Sequence, residues 1–462
     1  MSRVINTANF LYNSADNIFI EGHTTCTYGQ FFNKVISVAS RLESLGIKKG
    51  NIVILYDMPD LETIFLLFAL FHIEAVALPV NPRISYQELQ KIKNFSGAKC
   101  VISNKITGAD IVHSLGIFKN SMQVDKQTSF SPPQWNLKTP AIIILTSGSS
   151  GNPKMVVHSL NSVLQSARAV NIYFDLKSSD SWLLSLPLYH VSGLGILFRC
   201  LLSGANLVIP DIQSDINKSI IQFRPAYISL VITQLERLLN NRQSIDVLKN
   251  SQAVFLGGSA IPLSLIKQSL AHNLPIYTSY GLTEMASTVA IKKIVDPATS
   301  NAEILSCCQV KINEKKEILV KGDSMFLGYL NNDSIDKSQI ENGWFSTGDF
   351  GISKGPFITV WGRRDNMFIS GGENIYPEEI EKYLLAMEKI ENAVVVAVDS
   401  QEFGQRPVAF IKTQMEIDEQ KMKSYLKQYL PSYKIPDRFL SWPEKYAETG
   451  IKMKRKDFKS LL

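Results

Sequence analysis

Cysteine is scarce in this chain. Five occur in 462 residues, at Cys26, Cys100, Cys200, Cys307 and Cys308. That is too few, and too irregular, for a disulfide framework, and adjacent Cys307 and Cys308 lack the spacing of a C-x-x-C metal clip. The thiols are therefore expected to be reduced, as in a cytoplasmic protein. Charge of one sign is not concentrated either. Lys plus Arg number 48 and Asp plus Glu 42, a net +6, with no like-charge block before the C-terminal tail, so no nucleic-acid partner is expected. Long hydrophobic runs are missing. The most apolar stretch, 64–71, is far short of the roughly 20 residues a membrane span needs. The N-terminus carries no charged segment followed by an apolar one, so no signal peptide and no stable membrane insertion are expected. Repeats and low-complexity tracts are lacking, which excludes a solenoid.

What is present is ordinary globular material. Hydrophobic residues make 45% and charged residues 19%, enough apolar content to exclude a disordered chain. The length suits two to four domains or subdomains. Continuous apolar runs at 51–56, 75–80, 100–103, 141–145, 182–186, 205–209, 227–231 and 253–256 read as strands. Helix-like stretches such as 61–71 separate most of them. That alternation predicts an α/β fold with parallel sheets covered on both faces. From about 305 the strands are expected to shorten and alternate, as in 316–321 and 357–361, forming a small antiparallel β-unit. A boundary is expected at 362–366. The roughly 100 residues that remain suffice for one small α+β domain.

Five stretches carry chemistry. The first is TSGSSGNPK over 146–154. Thr146, Ser147, Gly148, Ser149, Ser150 and Gly151 leave backbone N–H groups free for an anion, and Lys154 adds positive charge. Its spacing is not that of a Walker A loop. Composition alone leaves a phosphate cradle and a flexible turn both open. The second is YGLTE over 280–284, where Thr283 could bond a phosphate oxygen and Glu284 could ligate Mg²⁺; a turn before a helix is the plainer reading. The third is WFSTGD over 344–349, whose Asp349 could accept both hydroxyls of a ribose or simply close a turn. The fourth is GRRDN over 362–366 followed by FISGGENIYP over 368–377, where Gly371 and Gly372 permit close backbone approach to a ligand. The fifth is the basic run ETGIKMKRK over 448–456, in isolation a solvated tail.

In this order, the five stretches resemble the adenylate-forming superfamily of acyl-CoA synthetases, firefly luciferase and peptide-synthetase adenylation domains. The resemblance runs from about Thr27 to the C-terminus. It implies an N-terminal adenylation domain over 1–362, built of two doubly wound sheets plus the small β-unit. A hinge over 363–366, centred on Asp365, and a mobile α+β domain over 367–462 follow. It also implies roles. The 146–154 loop would hold the β- and γ-phosphates of ATP. Gly257, Gly258, Ser259 and Tyr280 would flank the adenine, Thr283 would touch the α-phosphate, and Glu284 would hold Mg²⁺. Asp349 and Arg363 would hold the ribose, and Gly371 with Gly372 would line the coenzyme A tunnel. The catalytic lysine would be Lys452, with Lys454 as its rival. Ile451 separates Gly450 from Lys452, unlike the common spacing, but Arg455 and Phe458 keep Lys452 in register.

A narrower set is similar to the 2-succinylbenzoate–CoA ligases of menaquinone synthesis: 184–199, 233–239, 257–262, 281–288 and the G-I-K-x-x-R ending. It implies an acid–CoA ligase with His190, Ser259 and Ser287 lining the acyl pocket. A second substrate carboxylate would need a donor inside that pocket, and Arg199, Arg237 and Gln234 are the candidates. Both arginines could instead snorkel to the surface from helices. Alternatives are a ligase for another aryl or fatty acid, or a stand-alone enzyme loading a separate carrier protein. A homo-oligomer is left open.

Overall fold

The computed structural model describes residues 16–22, 25–108, 111–118, 135–146, 153–210, 215–257, 261–296, 301–332, 334–444 and 455–462. Among them lie three sheets, of eight, fourteen and five strands. The eight-stranded sheet has a parallel centre formed by strands Ile52–Tyr56, Val76–Val80, Cys100–Ser103 and Pro140–Thr146. The fourteen-stranded sheet has a parallel centre formed by Ser181–Leu183, Asn206–Val208, Tyr227–Leu230, Ala253–Leu256 and Ile276–Leu282. Most of these strands are short apolar runs, as a strand covered on both faces requires; Ile276–Leu282, at the border with the antiparallel strands, is more polar and only partly buried.

The largest core fills the space between these two sheets. It takes Val53, Ala77 and Ile142 from one sheet and Trp182, Tyr227 and Phe255 from the other. Helices supply most of the rest. Helix Asp60–His72 is buried continuously from Thr63 to Phe71, so its apolar stretch is a core helix, apolar all round for that reason. No helix among the described residues is long and apolar enough to cross a membrane. Helix Tyr28–Ser44 contributes Phe31 and Phe32 to the same core. It starts at a capping box in which Thr27 accepts from the Gln30 N–H and Gln30 accepts from the Thr27 N–H, satisfying two otherwise unpaired donors.

The antiparallel strands expected after residue 305 are present, with a core of their own around Ile318, Val320 and Phe345, but they are not a detached sheet. Strand Ser287–Lys293 pairs antiparallel with Ile276–Leu282, and Ala302–Ile304 and Phe357–Arg363 continue the same sheet. The edge of the parallel sheet has unpaired backbone groups, and these strands satisfy them. Nor are the strands all short, since Trp344–Lys354 spans 11 residues.

The third sheet begins at Phe368, directly after a single 3₁₀ turn over Arg364–Asn366 that contains Asp365. It has its own core, around Ile375, Ile380, Val395 and Leu426. The C-terminal helix Arg455–Lys459 is pinned to it twice. Phe458 is fully buried against Phe410 and Trp442. The Arg455 guanidinium donates to the carboxylates of Glu378 and Glu381 and to the Val395 carbonyl.

Candidate active site

The site collects on the ends of strands from both large sheets. Thr146 ends one strand and Lys154 opens the next, and the two residues lie opposite each other in an antiparallel pair. They form the stem of the Gly/Ser-rich loop; Ser147, Gly148, Ser149, Ser150 and Gly151 lie outside the described residues. The Lys154 ammonium sits 4.9 Å from the ring centroid of Tyr329, a cation–π distance. The Tyr329 hydroxyl in turn donates to Glu284 Oε1 at 2.6 Å. Burial, and next the Glu284 charge, push the Tyr329 phenol well above its ordinary pKa, so it stays a donor. Sequence reasoning missed Tyr329, because it sits in no motif and reaches Glu284 only through pairing of the strand Gly328–Asn331 with Lys154–Ser159.

Thr283 and Glu284 occupy a 3₁₀ turn, Thr283–Met285, between strands Ile276–Leu282 and Ser287–Lys293. The expected helix is only this one turn. Two groups hold its backbone from outside: the Phe326 N–H donates to the Glu284 carbonyl at 2.8 Å, and His158 Nε2 lies 2.8 Å from the Thr283 carbonyl. A carbonyl only accepts, so Nε2 carries the proton there. His158, also missed, is fully buried, and that burial pushes its pKa down to about 4.

That value makes a pH prediction. The unfolded chain takes up this proton near the ordinary imidazole pKa of about 6.5, whereas the folded chain refuses it until about 4. Stability is therefore unaffected by His158 above the upper value. It falls as pH drops between the two, by at most about 3 kcal/mol from this group. Denaturant unfolding of His158→Gln between pH 7 and pH 4 should show a correspondingly shallower loss. Parallel losses in variant and parent would refute the assignment.

Asp349 is nearly buried and shared between two donors. Tyr280 donates its hydroxyl to Oδ2 at 2.7 Å, and Arg363 Nε lies 3.2 Å from Oδ1. Burial lifts the carboxyl above the usual carboxylate range, while Arg363 and the Tyr280 hydroxyl oppose that rise. Glu284 is close enough to raise it further, so the two carboxylates face one region. The Asp349 N–H is held by Thr347 Oγ1 at 3.0 Å, and Thr347 donates to the Ile318 carbonyl. Gly257 follows directly on the strand Ala253–Leu256, neighbour to the strand carrying Tyr280; Gly258 and Ser259 lie outside the described residues.

The acyl-side residues separate into two groups. Arg199 lies on helix Val191–Ser203, buried without interruption from Gly193 to Leu201. It is 2% exposed. Its guanidinium stacks on Trp182 and Phe255 at 4.9 and 5.4 Å. Nη2 lies 3.4 Å from Thr288 Oγ1, which is 3.4 Å from Ser287 Oγ. Nε has no partner, no carboxylate pairs with the guanidinium among the described residues, and burial lowers its pKa to about 10. Arg199 and Ser287 are thus brought together, through Thr288. Arg237 does not join them: it is exposed, on a helix whose buried side is Leu235, Leu238 and Leu239. Gln234 spends its amide on backbone, accepting from the Val231 N–H and donating to the Ser185 carbonyl. It lines a cavity of about 450 Å³, with Ser185, Asp57, Asp60, Asn104 and Lys105. That cavity opens at the carboxyl ends of strands from both sheets, where ligands of α/β folds collect. His190 stands at the N-terminal boundary of the Arg199 helix without a side-chain cap hydrogen bond, its ring 4.6 Å from Tyr189.

In the third sheet, Gly371 and Gly372 form the exposed two-residue tip of the hairpin between Phe368–Ser370 and Glu373–Ile375. Both have positive φ, 58° and 85°, which glycine adopts without Cβ strain. Lys452 and Lys454 lie outside the described residues; Arg455 and Phe458 anchor the chain just beyond them.

The stem of a Gly/Ser-rich loop, a carboxylate beside it and a second carboxylate between tyrosine and arginine thus stand at neighbouring strand ends. The chain belongs to the AMP-binding enzyme family, which matches residues 9–330, while the AMP-binding enzyme C-terminal domain matches 379–449. A 2-succinylbenzoate–CoA ligase of Bacillus cereus is 30% identical over 453 residues, covering 94% of each chain. Among solved structures, Escherichia coli MenE with a bound analogue of OSB-AMS superposes with a TM-score of 0.82, 28% identity and 98% coverage of both chains. The o-succinylbenzoate CoA synthetase of Bacillus subtilis, with the acyl-adenylate OSB-AMP, has a TM-score of 0.79 at 26% identity over 94% of each chain. The same enzyme with ATP and magnesium ion has a TM-score of 0.79 at 25% identity, over 94% of this chain and 95% of that one.

Proposed function

We propose that this chain joins 2-succinylbenzoate to coenzyme A through an acyl-adenylate, using ATP and Mg²⁺. The observation that supports the substrate is Arg199. It is a buried cation with no carboxylate partner among the described residues, linked by Thr288 and Ser287 to the turn that carries Glu284. A buried unpaired charge is costly, and an anionic ligand would offset that cost. 2-Succinylbenzoate has two carboxylates, one to react and one to meet Arg199.

The reacting carboxylate, of ordinary pKa about 4.3, is anionic at neutral pH, so activation needs no general base. It needs charge neutralised at the α-phosphate and the attack aligned. Glu284 fits a Mg²⁺ role. Its carboxylate stands beside the phosphate-loop stem, and Mg²⁺ typically takes one or two protein carboxylates plus phosphate and water. The described residues hold no cluster of three or more metal-ligating side chains. The ion supplies neutralisation of phosphate charge. Tyr329 orients Glu284, Thr283 meets the α-phosphate, Lys154 and the 146–151 loop hold the outer phosphates, and Lys452 adds positive charge at the reacting centre. Asp349 and Arg363 hold the ribose, with Gly257, Gly258 and Tyr280 at the base. His190 and Ser259 line the acyl pocket. Lys452 and the Gly371–Gly372 tip belong to one small domain and serve different steps. The 367–462 unit rotates about Asp365 between those steps.

The test is an ATP–pyrophosphate exchange screen over 2-succinylbenzoate, benzoate and a medium-chain fatty acid, followed by coenzyme A and thioester detection. Exchange with 2-succinylbenzoate, then its thioester, is expected. Exchange only with another acid would overturn the substrate, and an adenylate that never reaches coenzyme A would favour a carrier protein as acceptor. In the same assay Asp365→Pro should spare one half-reaction and block the other. Equal, mild effects on both would sink the rotation.

A further inference from the structure

Cys307 and Cys308 lie outside every role assigned so far. Side chains of adjacent residues in a strand point to opposite faces. Here a turn intervenes: the Cys308 N–H closes onto the Leu305 carbonyl, and strand Cys308–Ile312 starts only at the second cysteine. Both thiols consequently point the same way, with their sulfurs 3.4 Å apart. The backbone makes room for this at Gly322, opposite Cys308, where an added Cβ would stand 2.0 Å from the Cys307 carbonyl oxygen. Cys308 is buried, and Cys307 is partly exposed and gives a way in. The Cys308 thiol, hydrogen-bonded to Cys307, favours the Cys307 thiolate, although burial works against it; the thiolate is the nucleophilic form.

We infer that Cys307 and Cys308 form a dithiol site that captures trivalent organoarsenicals, and that capture disables the neighbouring Glu284 turn. Two sulfurs at this separation can share one three-coordinate atom whose third bond goes to carbon. A resident metal would need more ligands than the described residues supply. The step balances without any oxidant. An organoarsenic oxide and two thiols form two As–S bonds, the As–O bonds break, and the oxygen leaves as water with both thiol protons. Arsenic stays trivalent.

The coupling to Glu284 is through packing. Cys308 shares a cluster with Met285, Phe326 and Tyr329. Phe326 holds the Glu284 carbonyl and Tyr329 its carboxylate. An aryl-arsenic group cannot enter so dense a cluster without displacing them.

Phenylarsine oxide and the intact chain provide the test. Mass spectrometry should show one phenylarsenic group per chain, stable to excess monothiol, removed by a dithiol, and mapped to the peptide holding both cysteines. Cys307→Ser should retain its fold and basal exchange activity yet fail to hold the group. Acid-dependent pyrophosphate exchange of the parent should fall roughly tenfold or more in step with capture and return with dithiol, while Cys307→Ser should resist. No stable adduct, an adduct mapped elsewhere, or one retained in Cys307→Ser would overturn the site. Capture with unchanged exchange would overturn the coupling. Only this activity arm rests on the ligase reading; the mass measurement decides the site regardless of it.

Discussion

Glutamine in place of Glu284 should lower acid-dependent pyrophosphate exchange by roughly 10²–10³-fold, the scale of losing a preorganised charge at a reacting phosphate. The substitution is nearly isosteric. An amide oxygen can still accept from Tyr329, and the Glu284 backbone stays tied to Phe326, so the thermal midpoint should hardly move. What disappears is the negative charge that would hold a divalent cation beside the phosphate-loop stem. Mg²⁺ demand should therefore rise along with the loss of rate. Exchange within about threefold of the parent, at the same Mg²⁺ optimum, would remove Glu284 from the machinery.

Methionine in place of Arg199 should act in opposite directions on activity and stability. The guanidinium is buried against Trp182 and Phe255, with its Nε unpartnered and its pKa lowered to about 10 by that burial. Methionine fills similar space without a charge to desolvate, and apolar replacements of buried charges are often neutral or stabilising by about 1–4 kcal/mol. Activity with 2-succinylbenzoate should fall roughly 10²-fold or more, because the substrate's second carboxylate would then be buried unpaired. Benzoate, which lacks that group, should lose little. Chemical denaturation and the two-acid exchange assay check the two halves. Equal losses with both acids would show that Arg199 is structural, and a large drop in stability would show a paired charge.

The local motifs were legible because their chemistry is carried by consecutive residues. Thr146 to Lys154 reads as a Gly/Ser-rich loop after a strand, and the structure shows its stem as an antiparallel pair. Asp349 and Glu284 stand in short motifs, so no long-range information was needed to suspect them. Most of the parallel strands were legible for the same reason, since each is an apolar run of a few residues; Ile276–Leu282, with Thr278, Ser279 and Gly281 in it, has no such run and was not read. The continuation of the second sheet into its antiparallel part was not, because pairing between strands such as Ser287–Lys293 and Ala302–Ile304 is a contact between separated segments.

The unread residues all act across such separations. Tyr329 lies 45 positions from Glu284, and His158 lies 125 from Thr283. Neither has a local pattern to mark it. Arg199 and Arg237 show where the line falls. Each is an arginine on a helix, and either could snorkel by its side chain alone. The Arg199 helix has no other charge and only Ser192 and Ser203, near its ends, as further polar positions, whereas the Arg237 helix has polar positions at Thr233, Gln234 and Glu236. By itself, then, the sequence determined the family motifs, the apolar strand runs and the presence of an arginine within a helix apolar enough to be buried. Only the tertiary structure decided that this arginine is buried with no carboxylate beside it among the described residues, that Thr288 and Ser287 link it to the turn carrying Glu284, and that two adjacent thiols face one way. Desolvation is a property of what packs around a group, and that is set by segments far apart in sequence coming together.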